Sequence, residues 1–180
     1  MASTKIPISA YILDVYSVDT KKLMGASGWT QPQITQAFAD ANRIWKQADI
    51  EFSPIDISKR DIHVRETDKE MWWDFINGLS PKRGIGAGFV YDFPSGNEGG
   101  CGGGRIAVVG RKKVAGARDG FAGGLLAHEL GHALIDHNHS PERHNLMFES
   151  RSPMAVTKDV LDGEQLSKSK VRALEILARP

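Results

Sequence analysis

Five consecutive residues, His128-Glu129-Leu130-Gly131-His132, constrain this chain more than any others. They lie in a run from Phe121 to about Ile135 in which Ala122, Leu126, Leu130, Ala133 and Leu134 recur at helical spacing, which predicts a long helix. On a helix, residues four apart stand one above the other on the same face. Two imidazoles can therefore grip one ion, with the Glu129 carboxylate one position along. Four of the six histidines, His128, His132, His137 and His139, fall inside twelve residues, so the pair on the helix has further imidazoles within reach.

The chemistry that suits this pattern is zinc chemistry. Imidazole is a good zinc ligand, and a catalytic zinc site uses three protein ligands and leaves a fourth position for water. Glu129 stands where a general base for that water belongs. A downstream carboxylate, Glu149 or Glu164, is a conceivable third ligand, but the histidine cluster argues for an imidazole.

The rest of the chain predicts an α/β domain built around that helix. Ile8 to Tyr16 alternates loosely and is rich in β-branched and aromatic residues, which predicts a strand. Thr30 and Gln33 have capping-box spacing, Pro32 sits in the first turn, and Ile34, Ala37, Phe38, Ala41, Trp45 and Ala48 follow at helical spacing. Ile50 to Ile57 reads as a strand interrupted by Pro54, with Ile62 to Arg65 a short continuation or a loop. Met71, Trp72, Trp73 and Phe75 fit a short helix whose aromatics pack in the core. Gly88 to Phe93 and Arg105 to Gly110 read as two more strands, with the glycine-rich PSGNEGGCGGG between them expected to be a mobile loop. Asp162 and Gln165 give a second capping signal, ahead of a last helix through Leu166, Val171, Leu174 and Leu177.

With 180 residues, 41% hydrophobic and 25% charged, the sequence suits one domain over 1–180. A formal charge of +1 with no basic stripe argues against a nucleic-acid partner. No apolar run approaches the roughly 20 residues that span a bilayer, and no signal peptide is visible. One cysteine, Cys101, excludes an internal disulfide and a four-cysteine zinc site.

The stretch from His128 to Met147 resembles the metzincin clan of metallopeptidases, whose signature extends HExxH to HExxHxxGxxH and is followed by a methionine in a tight turn beneath the metal. HELGHAL matches the beginning, and Asn145-Leu146-Met147 looks like the methionine turn. Between them the pattern departs: Ile135 stands at the family glycine and Asn138 at the family's third histidine. In matrix-metallopeptidase-like members the ligand histidine is often followed by serine and lies eight residues before the methionine, a spacing that His139-Ser140 has to Met147. The resemblance thus implies His139 as third ligand, one residue inserted, with His137 the alternative. His144 is expected to face solvent, and His63 to be structural.

The resemblance implies a zincin-like fold: a small mixed twisted sheet on two long helices, then a short irregular C-terminal part with a terminal helix. Residues 1–136 would form an N-terminal subdomain and 137–180 a C-terminal one with the methionine turn. It implies a monomeric zinc endopeptidase acting on peptide or protein substrates, with Zn2+ on His128, His132 and His139 and Glu129 as base. Secretion or export is likewise a family expectation. Arg105, Ile106, Ala107 and Val108 would belong to the edge strand that pairs with substrate, and Phe148 to Ser152 would wall the pocket beyond the scissile bond. Glu149 stands where some members carry an additional tyrosine ligand, so none is expected. The competing readings are a metal-dependent amidase such as a deformylase, with Cys101 as ligand, and a catalytically silent zinc-binding module. Cys101 is most simply a solvated loop thiol rather than an inhibitory zinc ligand.

Overall fold

In the computed structural model, which describes residues 3–65, 69–93, 100–114, 121–135, 138–148 and 160–179, strand β1 (Thr4–Ser17) is the spine of the molecule. Its apolar residues divide strictly by parity. Ile6, Ile8 and Ala10 bury into a core on one face, and Tyr11, Leu13 and Val15 into a second core on the other. The two-residue period of a strand does this automatically, so β1 has to be covered from both sides.

Five further strands are β2 (Leu23–Gly25), β3 (Ile50–Val64), β4 (Ile85–Val90), β5 (Gly100–Gly103) and β6 (Ile106–Gly110). Their order is β3-β1-β4-β6-β5, with the short β2 paired antiparallel to β1 at Val15 and Tyr16. Strands β3, β1, β4 and β6 are mutually parallel, and β5 returns antiparallel to β6. The sheet is therefore mixed, as the sequence implies.

Pro54 shapes β3 without ending it, which corrects the expected interruption there: the strand runs from Ile50 through to Val64 with one bulge. Ile8 pairs with Pro54 and Ser9 with Asp56, which leaves Ile55 as an extra, exposed residue in the ladder. Proline lacks a donor, and an outer strand with such a bulge tolerates that loss.

Two long helices lie side by side on the first face. Helix α1 (Gln31–Trp45) starts at Thr30 with a reciprocal capping box to Gln33, and one 3-10 turn, Lys46–Ala48, follows it. Helix α4 (Phe121–Leu134) packs along α1 and over β5 and β6. Helix α2 (Lys69–Gly78) covers the second face with Trp72 and Ile76. The core reading holds for Trp72, whereas Trp73 is 42% exposed. A single turn, α3 (Arg111–Val114), follows β6.

The last helix, α5 (Gly163–Ala178), begins at Asp162 with the expected capping box to Gln165. Its buried stripe is Ser169, Ala173 and Ile176, with Leu166 partly covered. Val171 and Leu174 are exposed, which corrects the stripe expected from leucine spacing. At about 100° per residue, Val171 falls nearly opposite Ala173.

The glycine-rich stretch is a further correction. Positions 94–99 lie outside the described residues, but Gly100–Gly103 is a strand, β5, at the outer edge of the sheet. Glycine is unfavourable in a strand unless another backbone approaches closely, and here α4 does so. A Cβ at Gly102 would overlap the Glu129 carbonyl oxygen, and one at Gly100 would crowd the Glu129 carboxylate.

Candidate metal centre

Three imidazoles converge where α4 meets the chain that follows it. Their ligand atoms, from His128, His132 and His139, all lie within 4.8 Å of one another. His128 and His132 rise from α4 one turn apart, with ring centroids 4.8 Å apart. His139 comes from the segment after the helix and stacks on His128, 5.3 Å between centroids and 15° between planes.

The position of α4 rests on close approaches to its neighbours. Gly123 lets it lie against α1, since a Cβ there would overlap that of Asp40. Further along, the buried Trp45 indole of α1 donates to the Ala127 carbonyl at 3.1 Å, one residue before the first histidine. A helical glycine costs about 1 kcal/mol relative to alanine, and at Gly123 and Gly131 that cost is matched by a close approach, whereas Gly124 faces open space.

At the far end of the site a tight turn spans Asn145 to Phe148, closed by the Phe148 N–H donating to the Asn145 carbonyl at 3.1 Å. Asn145 is buried, and its side chain works in two directions. Its Oδ1 accepts the Met147 N–H at 2.8 Å, and its Nδ2 donates to Gln165 Oε1 of α5 at 2.8 Å. The Ser140 N–H donates to the Met147 carbonyl at 2.8 Å, which ties the segment carrying His139 to this turn. Met147 is fully buried, with its sulfur beneath Gly131.

This turn also orients the first imidazole. His128 Nδ1 lies 2.7 Å from the Leu146 carbonyl, an acceptor only, so Nδ1 carries the proton and donates. The Nε2 lone pair is then left to face inward, 3.2 Å from His132 Nε2. Zinc–nitrogen bonds of 2.0–2.1 Å at a tetrahedral angle place two ligand nitrogens about 3.3 Å apart. The donor set therefore fits a zinc ion, and a backbone carbonyl behind a ligand histidine is the usual outer support of such a site. Glu129, 4% exposed, follows His128 on the helix with its carboxylate under Gly100 of β5.

The sequence-predicted residues thus separate clearly. His128, His132 and His139 come together; His137 and Glu149 lie outside the described residues. His144 is exposed, His63 stacks on Tyr16 in the β1–β3 ladder, and Glu164 is exposed and paired with Lys168. Cys101, expected as a loop thiol, instead lies in strand β5 and packs against the second core on the face away from Glu129; it is not among the converging ligands.

The expected substrate strand requires correction. Ile106, Ala107 and Val108 are buried in β6, which is hydrogen-bonded to β4 on one side and β5 on the other. Arg105 lies in the turn before it, donating to the Lys82 carbonyl at 3.0 Å. With both ladders filled, this strand cannot accept another; the outer strand is β5. Glycine content concealed it, since nothing in Gly-Cys-Gly-Gly carries a strand signal.

No family model matches the sequence, and no curated protein matches it. Solved structures do match in fold. Archaemetzincin from Methanopyrus kandleri superposes with a TM-score of 0.60 at 16% identity, over 96% of this chain and 97% of that one. Metalloproteinase-II from Bacteroides fragilis gives 0.52 at 18% identity, over 98% of this chain and 55% of that one. A chain of a chaperone-substrate complex gives 0.54 at 13% identity, over 98% and 35%. The chain therefore shares the mixed-sheet α/β fold of archaemetzincin across nearly its whole length.

Proposed function

We propose that the protein is a zinc-dependent endopeptidase of the metzincin type. The observation that carries this reading is the convergence of His128, His132 and His139 with Glu129 beside them. The tight turn holding Met147 under Gly131 and the likeness in fold to archaemetzincin and a bacterial metalloproteinase support it.

When bound by the three imidazoles, zinc would supply an acidified water and polarise a peptide carbonyl. Glu129 is the residue that would take a proton from the attacking water and hand it to the leaving amine. The burial of Glu129 keeps bulk water from competing with this transfer. The substrate lies extended along the outer edge of β5, adding a strand through main-chain hydrogen bonds, and Phe148 borders the pocket beyond the scissile bond.

The test is Glu129→Ala, assayed for zinc content and for cleavage of unfolded protein substrates. Metal should stay bound while the rate falls by about 10²–10⁴-fold, the usual contribution of a general base. A variant with unimpaired, chelator-sensitive activity would overturn the assignment.

A further inference from the structure

One cavity of about 540 Å³ lies on the opposite face of β5 from Glu129. Cys101–Gly103 of β5 and Gly104 of the following turn form one wall, and Trp73, Asn77 and Ser80, in and just after α2, form another. Its distinguishing feature is charge. Arg105 enters from the β5–β6 turn, Arg172 from α5 and Arg179 from the residue just past its end, and among the described residues that line it there is no carboxylate. Arg172 donates to Glu175 at 2.8 Å and Arg105 to the Lys82 carbonyl, which leaves most of each five-donor guanidinium directed elsewhere.

We propose that this pocket binds carboxylate side chains of an extended polypeptide lying along β5, which makes acidic chains the preferred substrate class; the placement rests on the peptidase reading above. A chain antiparallel to β5 runs from the Gly103 end toward Gly100, where Glu129 stands. At about 3.3 Å per residue, the pocket wall then faces positions some two to four residues N-terminal to the scissile bond. Side chains alternate along an added strand, so those turned away from α4 enter the pocket. Guanidinium recognises carboxylate through paired, planar N–H donors, Asn77 and Ser80 offer neutral donors, and the Trp73 ring offers an apolar wall.

The test uses the full chain carrying Glu129→Gln, so that bound peptides survive, and short labelled peptides that differ only in Asp/Glu against Asn/Gln on the N-terminal side. Fluorescence anisotropy should show the acidic peptide bound about tenfold more tightly, the equivalent of two partly exposed charge-assisted contacts. Arg172→Gln with Arg179→Gln should remove that preference, while the charge-matched control Lys5→Gln with Lys22→Gln should keep it. High salt should shrink it as well, because these contacts are partly open to solvent. Equal affinity for the two peptides, or a preference that survives loss of both arginines, would overturn the proposal. Cleavage by the zinc-loaded native protein is read separately. Acid-selective binding without cleavage leaves the pocket standing and removes the peptidase reading; cleavage without acid selectivity does the reverse.

Discussion

The sulfur of Met147 occupies the space that a side chain on Gly131 would need. Gly131 lies in α4 between the two histidines, and Met147 in the turn whose Leu146 carbonyl holds His128. A methyl group at position 131 must push helix and turn apart, since the Trp45 ring, 3.5 Å from the same point, closes the other side. Gly131→Ala should destabilise the protein by about 1–3 kcal/mol despite the better helix propensity of alanine. Met147→Ala alone should cost about 2–5 kcal/mol through the cavity it leaves. The double variant should be less destabilised than the sum, because the new methyl fills part of that cavity; thermal unfolding of all four proteins measures the coupling. Additive losses would mean that the two residues do not share this space.

The third candidate ligand gives a sharper metal test. His139→Ala should lose zinc on dialysis against a mild chelator and lose the rise in Tm that bound metal confers, whereas His137→Ala should retain both. Metal analysis of the two variants side by side decides the matter. Zinc retained by the first and lost by the second would assign the site to His137.

What the sequence reveals and what it hides follow from how local each signal is. Both capping boxes, Thr30 with Gln33 and Asp162 with Gln165, are local chemistry and are present as read. The helical pair His128 and His132 is equally local. His139 is reachable only by counting back from Met147, because it lies outside the helix and Ile135 and Asn138 stand where the family glycine and histidine belong. Strand β5 is hidden for a different reason: Gly100 and Gly102 are dictated by the nearness of Glu129, a residue more than twenty-five positions away. The exposed Val171 and Leu174 misled for a third reason, since leucine spacing alone does not say which face of α5 meets the core.

Stability toward acid should depend on Asp14. This carboxylate, buried at the far end of β1, accepts the Ser27 N–H at 2.8 Å and pairs with Lys59 of β3 at 2.6 Å. Burial by itself raises its pKa, but the hydrogen bonds from Lys59 and Ser27 and the Lys59 charge outweigh that and hold it below the ordinary value. A carboxyl depressed in the folded state stabilises fully above its unfolded pKa, near 4, and loses that contribution as pH falls through the folded value. Asp14→Asn should therefore cost about 1–2 kcal/mol at neutral pH, with the gap to the native protein closing as pH falls below about 4. Urea unfolding across pH measures this. A gap independent of pH would show that the Asp14 charge contributes nothing.

Asn145 links the candidate metal centre to α5, and its removal should be felt in both. Alanine there leaves the buried Met147 N–H without its acceptor and takes from Gln165 Oε1 one of its two donors, the other being the Asp162 N–H, which costs about 1–3 kcal/mol. The larger consequence concerns the Leu146 carbonyl, which sits inside the turn that Asn145 closes and accepts from His128 Nδ1. Loss of such outer support typically weakens zinc binding about 10–100-fold. Asn145→Ala should thus bind zinc more weakly in a chelator competition, while Gln165→Ala, which keeps the Asn145 to Met147 bond, should lose stability with little change in zinc affinity. Equal weakening of zinc by both variants would mean that α5 docking, rather than the turn, sets the geometry of His128.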